Sequence, residues 1–398
     1  MAKAATVDAP AYHQPVTRWA NPGLNRRSAV AAVVEWAVPE FRTVGPGPEL
    51  HRLLLRMAGY APDHAIVEAR YALAKGQIVD VTRAVASVAA NAGLFLAEEE
   101  VDLIAAVDPE RAGVLSSGMG QGRQQRTSFT FHPALGEDST FTPQATPPLL
   151  DLTDAPPEIV GALTDEMDRA ATETLSQVPG VTALWRAWRL GVPSGIGRTP
   201  ARVFVLAADV PADYLPVVTA MAQQELGTVG APQTLVEVFA PGDELPAYQM
   251  QARGSAALLW TAAEAYPIAV SPVFDGVDAA AGPWFAPDHP LLDGVEQERV
   301  AAFLDSGWAV LTTTRRENDV VEPDRGVVVP MSYRTDGVWV WTDTVTYYLR
   351  AHGLAPAAAL LDHIRCIDYR TPEVDEVAEH RVLAALFRPA APSPATAR

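Results

Sequence analysis

The chain has little cysteine and no long apolar run. Its one cysteine, Cys366, excludes a disulfide framework or a thiolate metal cluster within the chain, and we expect it to be a small buried hydrophobe on the last helices. No run of roughly 18 apolar residues occurs, so no membrane-spanning helix is predicted. The N-terminus MAKAATVDAPAYHQPVTRW lacks the apolar centre of a secretory signal. These absences predict a cytoplasmic protein.

Positive charge is also scarce. The chain has 30 Lys and Arg residues against 48 Asp and Glu residues, which gives a formal net charge of −18. This sign disfavours non-specific binding to nucleic acid or to an anionic membrane, because both require positive potential at the surface. It favours solubility, cation binding or a basic partner.

Sequence motifs that would fix a chemistry are missing. The histidines are scattered without an H-x-x-x-H pair, and no G-x-S-x-G elbow occurs. The glycines of SSGMGQGRQQR, residues 116–126, could cradle a phosphate with Arg123 and Arg126 as counter-charges. Helical sequence precedes them and a strand pattern follows, which is the reverse of a dinucleotide fingerprint, so the context favours a flexible connection.

The chain contains enough apolar residues for more than one hydrophobic core. With 398 residues, 48% of them hydrophobic, two or three domains are expected. The predicted segments are a disordered tail (1–27), a small helical bundle (28–113), a Gly/Pro-rich linker with a short strand (114–160), an α/β domain (161–387) and a second disordered tail (388–398). The bundle is predicted from four short apolar stripes joined by Gly or Pro turns.

Strand and helix patterns alternate after the linker. A helix is predicted at 158–177, strands at 202–206, 234–239 and 256–260, and helices between these strands at 214–225 and 245–253. This spacing predicts right-handed crossovers and at least three parallel strands. Further strands at 268–274 and 308–312 extend the prediction to a mixed sheet of roughly six to eight strands. The predicted fold class is therefore α plus α/β, multidomain.

The most ordered-looking stretch is GVVVPMSYRTDGVWVWTDTVTYYLRAHG, residues 326–353. Two β-rich runs flank Asp336 and Gly337, and this dipeptide predicts a hairpin at one edge of the sheet with a type I′ turn, which needs positive φ. Pro330 cannot donate a ladder hydrogen bond, so it predicts an edge strand or a bulge. A helix ending at Gly353 is predicted to follow.

Five residues of this stretch belong to types enriched at binding hot spots: Tyr333, Arg334, Trp339, Trp341 and Tyr347. They predict an exposed surface that binds a protein partner. In the alternative, the aromatic rings are core residues and Arg334 pairs with Asp336 or Asp343, since large aromatic side chains mostly bury themselves.

The string YRTDGVWVWTDTVTYYLRAHGLAP, residues 333–356, resembles the C-terminal segment of proteins from high-GC actinobacteria. A fainter likeness extends back to Arg202. No activity is attached to that family, so the resemblance implies no functional residue here.

Acidic residues and one histidine follow the strand predicted at 268–274: Asp275, Asp278, Asp288, His289 and Asp293. Ligands of open α/β sheets bind at the carboxyl ends of strands, so Asp275, Asp288 and His289 could hold Mg²⁺ or Mn²⁺ and activate water for hydrolysis. Each residue also has a structural explanation, as part of a turn, a loop or a helix cap.

Two arginines follow the strand predicted at 308–312. The guanidinium groups of Arg315 and Arg316, next to three threonine hydroxyls, suit a phosphate or carboxylate. Glu322 and Asp324, a few residues further on, could instead neutralise them.

Two functions from different classes follow from these patterns. The first is a cytoplasmic, non-enzymatic interaction or accessory protein that binds a protein partner through the aromatic and arginine side chains of the hairpin. The second is a metal- or phosphate-dependent hydrolase with its site around Asp275, Asp288, His289 and Arg315.

Overall fold

The computed structural model describes residues 26–36, 39–92, 94–110, 113, 129–135, 147–191, 200–232 and 234–388. They form two compact units, an N-terminal unit within Asn21–Ala265 and a C-terminal unit, Tyr266–Leu386. Almost all of the two predicted tails, the glycine-rich segment 116–126 and most of the predicted linker lie outside the described residues. The two units divide at residue 265, inside the segment predicted as one α/β domain.

The N-terminal unit combines helices with a six-stranded mixed sheet. Its helices are α1 Arg26–Trp36, α2 Gly47–Met57, α3 Asp63–Ala74, α4 Ile78–Ala92, α5 Glu98–Ala105, α6 Pro157–Leu163, α7 Glu166–Leu175, α8 Leu215–Thr228 and α9 Ala247–Arg253. Its strands are β1 Phe129–His132, β2 Leu150–Asp151, β3 Val181–Gly191, β4 Ala201–Ala208, β5 Leu235–Phe239 and β6 Ala257–Thr261. The strand order is β2-β6-β3-β4-β5, and β1 also pairs with β3.

The three predicted strands are present as β4, β5 and β6, but they are not neighbours in one parallel block. β4 and β5 pair in parallel, whereas β3 lies between β4 and β6 and is antiparallel to both. The sequence had not predicted β3 as a strand. Arg186 and Arg189 interrupt its apolar pattern, yet Arg186 is fully buried.

The helices of the predicted bundle are confirmed as helices, but they pack as part of the N-terminal unit. α3 contacts both α8 and β5. His51 on α2 donates to the Val238 carbonyl at 2.9 Å, and Arg70 on α3 donates to the Val236 carbonyl at 2.7 Å. Because β5 is the last strand in the order, these side chains satisfy carbonyls that no further strand pairs with. The bundle is therefore not a domain of its own.

The C-terminal unit has smaller sheets covered by helices. Its strands are β7 Ala269–Val270, β8 Gly276–Asp278, β9 Gly282–Trp284, β10 Trp308–Leu311, β11 Arg316–Asn318, β12 Val327–Pro330, β13 Tyr333–Thr335 and β14 Trp339–Thr342. Its helices are α10 Gly294–Ser306, α11 Asp343–His352, α12 Ala358–Cys366 and α13 Glu376–Phe387. A four-stranded sheet has the order β10-β13-β14-β7, and β11-β12 and β8-β9 form two-stranded sheets.

The predicted hairpin is present as β13 and β14, with a different turn. Among the described residues only Asp368 and Tyr369 have positive φ besides glycines, so Asp336 does not adopt the conformation of a type I′ turn. Asp336 instead accepts hydrogen bonds from the N–H groups of Val338 and Trp339, which closes the turn through its side chain. Gly337 alone supplies the positive φ.

The predicted fold class, α plus α/β with more than one domain, is confirmed. The single large sheet with the hairpin at its edge was wrong, since β13 and β14 are the inner strands of a separate sheet in the C-terminal unit. The helix predicted at 158–177 is two helices. Asp165 separates them, because its side chain caps α7 by accepting from the Asp168 N–H at 2.8 Å.

Candidate functional site

The two tryptophans of the hairpin are core residues. Trp341 is fully buried, and its indole N–H donates to the Leu304 carbonyl at 3.0 Å. Trp339 is only 7% exposed. The predicted binding surface is therefore wrong for these two residues, because a buried indole offers no contact area to a partner. Tyr333, Arg334 and Tyr347 are partly exposed.

Arg334 is fixed by three acceptors. Its Nε donates to the Asp343 carboxylate at 2.6 Å, and its Nη1 donates to the carbonyls of Asp305 and Gly307 at 2.9 and 3.0 Å. This confirms the alternative in which Arg334 pairs with Asp343. The side chain remains 28% exposed, so the guanidinium still borders solvent.

An open cleft of about 400 Å³ lies beside α11. One helix face, at positions i, i+3, i+4 and i+7, supplies part of its lining: Asp343, Thr346, Tyr347 and Arg350. The other lining residues are Asp305, Pro330, Arg334 and Ala351. Two of the predicted partner-binding residues, Arg334 and Tyr347, thus meet at one concave surface. We call it the α11 cleft.

The charges of the α11 cleft are balanced. Arg334 pairs with Asp343, and Arg350 pairs with Asp305. Thr346 is 5% exposed, and its hydroxyl has no hydrogen-bond partner within the described part of the chain. The cleft therefore presents hydrogen-bonding groups and paired charges, which suit a polar chain segment better than an isolated phosphate.

A buried carboxylate holds Tyr347 in place behind the α11 cleft. The Tyr347 hydroxyl donates to Asp319 Oδ2 at 2.8 Å, and His352 Nε2 lies 2.7 Å from the same oxygen. Burial acts to raise the pKa of Asp319. The hydrogen bonds from the Glu322 N–H, His352, Tyr347 and the Val321 N–H outweigh it and lower that pKa to about 2. Asp319 is therefore an ionised anchor for one wall of the cleft.

The predicted metal residues do not form a ligand set. Asp275 Oδ2 and His289 Nδ1 are 2.9 Å apart, but His289 Nε2 lies 3.0 Å from the Ala355 carbonyl, so both ring nitrogens face acceptors. Within the described ranges no group of three or more His, Cys, Asp or Glu side chains could hold a metal ion, and Asp288 therefore does not complete a site with these two. Asp275 and His289 instead form a hydrogen-bonded pair.

The other acidic residues near Asp275 have structural roles. Burial acts to raise the pKa of Asp275, but hydrogen bonds from the Ala286 N–H and from His289 outweigh it and lower that pKa. Asp278 accepts from the backbone N–H groups that follow it in its own turn. Asp293 stands at the N-cap position of α10, but its side chain makes no capping hydrogen bond, so the predicted helix cap is wrong. The turn role of Asp278 and the loop role of Asp275 are those of the structural explanation.

The two arginines of the predicted anion site are engaged separately. Arg315 Nε donates to Glu317 at 2.8 Å, and Arg316 Nη1 donates to the Val328 carbonyl at 2.7 Å. Glu322, one of the acidic residues expected to neutralise them, pairs with Arg325. Because their acceptors differ, Arg315 and Arg316 do not converge on one anion position.

Sequence reasoning missed a second buried contact between histidine and aspartate. His363 Nε2 lies 2.5 Å from Asp336 Oδ2, and Asp336 is 2% exposed. The two residues are 27 positions apart, so no spacing rule could have paired them.

The prediction for the one cysteine was wrong. Cys366, expected to be buried, is exposed at the end of α12.

Comparisons with known proteins add no relative to this picture. No family model, no curated protein and no solved structure matches the chain. In the part of the chain that the structure describes, no helix combines the length and apolar character needed to cross a membrane. The candidate site therefore rests on the geometry of the C-terminal unit, and the resemblance of residues 333–356 to actinobacterial proteins stays a prediction.

Proposed function

We propose that the protein is a non-enzymatic binding protein whose C-terminal unit holds a segment of a partner protein in the α11 cleft. One observation carries this proposal: a single face of α11 and two guanidinium–carboxylate pairs converge on an open cleft of about 400 Å³. A partner backbone can exchange hydrogen bonds with such groups without bringing a net charge into the cleft.

The geometry favours binding over the hydrolase alternative. That alternative needs Asp275, Asp288, His289 and Arg315 to share one site. Both nitrogens of His289 are already directed at acceptors, and Arg315 is paired with Glu317. A general base or a metal ligand needs a free lone pair, which this arrangement of His289 does not offer.

The proposed setting is the cytoplasm. The support is compositional, since one cysteine in 398 residues is typical of a chain that does not use disulfides. The net charge of −18 disfavours nucleic acid as the partner.

Arg350→Glu tests the proposal. Arg350 is 58% exposed and its pairing with Asp305 is a surface contact, so the variant is expected to fold. A glutamate there would place like charges beside Asp305 and Asp343. Tagged protein is used for quantitative capture from a lysate of the native host, and the captured protein is then purified and titrated by calorimetry.

The expected result is a partner whose affinity falls at least about tenfold with Arg350→Glu. Arg370→Glu is the matched control, because Arg370 is 85% exposed and does not line the cleft. A partner that binds both variants and the wild type equally would remove the α11 cleft from the proposal. A wild type that retains no protein above a tag-only control would overturn it.

A further inference from the structure

The outer edge of β10 is an open strand edge. β10 stands at the end of the order β10-β13-β14-β7, and among the described residues β13 is the one strand that pairs with it. Backbone N–H and C=O groups on such an edge are available to another strand. No β10 residue lines the α11 cleft, although Asp305, just before the strand, does line it.

The strand does not guard its own edge with charge, but the carboxylate of Glu379 accepts from the Trp308 indole N–H at 3.2 Å. Residues 307–314, GWAVLTTT, carry no formal charge, although many natural edge strands carry a lysine or another charge that blocks pairing. Trp308 is 52% exposed, and Ala309 is exposed as well. The edge therefore combines a strand that pairs with no described strand other than β13 and an indole that is half exposed, which favours strand addition.

Charges at the two ends of this stretch specify the direction of pairing. Asp305, 42% exposed, precedes it, and Arg315, 74% exposed, follows it. In an antiparallel pair of two copies, Asp305 of one copy lies towards Arg315 of the other, whereas a parallel pair would put like charges together. Their pairs within the chain, with Arg350 and Glu317, are exposed and worth little, so they do not prevent this exchange.

From these observations we infer that the occupant of the edge is a second copy of this chain, which adds its own β10 antiparallel and forms a two-fold symmetric dimer. The pairing is isologous, since the same strand is used on both sides. The strand is four residues long and its register shifts between Ala309 and Leu311, so the interface is small. A small interface predicts a weak dimer that dissociates on dilution.

Ala309→Lys is the variant that tests this inference. A lysine on an exposed edge position is a natural block to strand pairing and is compatible with folding. The full-length chain is studied by sedimentation equilibrium between about 1 and about 300 µM, a range that spans weak interfaces. Amide hydrogen exchange at residues 307–314 is measured at both ends of this range.

The expected result is a dimer at high concentration in which exchange at residues 307–314 slows. Ala309→Lys is expected to be monomeric throughout, with fast exchange in that stretch. Ala302→Lys, at an exposed alanine of α10, is the matched control and should dimerise like the wild type. A wild type that stays monomeric overturns the inference, and a dimer that survives Ala309→Lys places the interface elsewhere and overturns it too.

Discussion

In the N-terminal unit, His51, Arg70 and Glu237 are each at most 2% exposed, whereas the aspartate-paired histidines of the C-terminal unit keep some contact with solvent. Among the described residues, these histidine side chains are between 7 and 12% exposed: His289, His352 and His363. Histidine thus occurs in two settings. His51 is hydrogen-bonded to a backbone carbonyl, whereas His289, His352 and His363 each lie against an aspartate carboxylate.

The two settings have opposite electrostatic consequences. Burial lowers the pKa of His51 to about 4, because its hydrogen bond to the Val238 carbonyl does not offset desolvation and the charge of Arg70 lowers the pKa further. In the C-terminal unit, burial acts to raise the pKa of Asp319, but the hydrogen bonds to its carboxylate prevail and lower that pKa to about 2. Burial alone thus favours neutral groups, whereas hydrogen bonds to a buried carboxylate preserve its charge.

Glu237→Ala is expected to have the largest effect on the stability of the N-terminal unit. Glu237 is the carboxylate partner of Arg70, at 2.7 Å, and also accepts from the Gln249 amide at 2.7 Å. Without it, the guanidinium of Arg70 is buried and uncompensated, so we expect a loss of about 3–5 kcal/mol in the free energy of unfolding. Urea denaturation followed by circular dichroism measures it.

Two further variants control that experiment. Glu244→Ala removes an exposed carboxylate from the same unit and should cost less than about 0.5 kcal/mol. The double variant Arg70→Met/Glu237→Leu replaces the whole pair by apolar side chains and should recover most of the loss. If Glu237→Ala alone left the free energy of unfolding unchanged, the Arg70 guanidinium would have to reach solvent. Burial of charged groups would then no longer distinguish the N-terminal unit from the C-terminal unit.

Acid is expected to destabilise the N-terminal unit through His51. Since the folded pKa of His51 is about 4 and the ordinary pKa of histidine is 6.5, only the unfolded chain binds the proton between these values. The stability contribution is therefore complete above pH 6.5 and declines as the pH falls towards 4, by about 3 kcal/mol in all. Calorimetric melting at pH 7 and near pH 4 measures the decline for the N-terminal unit.

His51→Gln keeps a donor for the Val238 carbonyl and removes the titration. We expect a smaller difference in melting temperature between the two pH values in this variant than in the wild type. His64→Gln, at an exposed position of α3, should behave like the wild type. An unchanged pH dependence in His51→Gln would show that another group controls the acid response of the N-terminal unit.

Asp319→Asn is the corresponding change in the C-terminal unit. The folded pKa of Asp319, about 2, lies below the ordinary aspartate pKa of 3.8, so its stabilising effect is present above pH 3.8 and is lost as the pH falls towards 2. An asparagine cannot accept both side-chain hydrogen bonds at one charged oxygen, and we expect a loss of about 1–3 kcal/mol at pH 7. Urea melts at pH 7 and near pH 3 should show that this loss shrinks in acid.

Asp305→Asn tests whether the position of the carboxylate matters. Asp305 is an exposed carboxylate that pairs with Arg350, and its replacement should cost no more than about 1 kcal/mol. Equal costs for the two variants would mean that the buried hydrogen bonds of Asp319 add nothing to stability.

Local patterns predicted many helices and strands of both units, but not β3. The tertiary contacts between residues far apart in the sequence were beyond such patterns. The apolar spacing of α11, with Gly353 at its end, and the paired runs of β13 and β14 are local properties, and each was predicted. The burial of Trp339 and Trp341 was left open. An alternating strand shows which side chains share a face, but not that β14 is an inner strand with both faces covered.

The side-chain pairs of the C-terminal unit illustrate the same limit. His289 and Asp275 were both among the predicted metal residues, because they lie in one loop region. His352 and Asp319 are 33 positions apart, and their contact depends on how α11 packs near residue 319. The α11 cleft could be predicted only in part, since Arg334 and Tyr347 were singled out by residue type while Asp305 and Arg350 belong to ordinary helical patterns.

Two glycines with left-handed φ, one in each unit, allow the smallest and most closely matched comparison. Gly230 has φ +86 and Gly353 has φ +71, so an alanine at either position is strained by about 1 kcal/mol. A Cβ at Gly230 meets nothing within 4 Å, whereas one at Gly353 would lie 3.2 Å from the Leu292 carbonyl oxygen. We therefore expect Gly353→Ala to lower the free energy of unfolding more than Gly230→Ala does in urea melts.

Gly161→Ala is the control of opposite sign. Gly161 lies inside α6 with open space around its Cβ position, so an alanine there should stabilise the helix. Equal costs at Gly230 and Gly353 would show that left-handed strain alone decides the effect and that the C-terminal unit relaxes around the added methyl group.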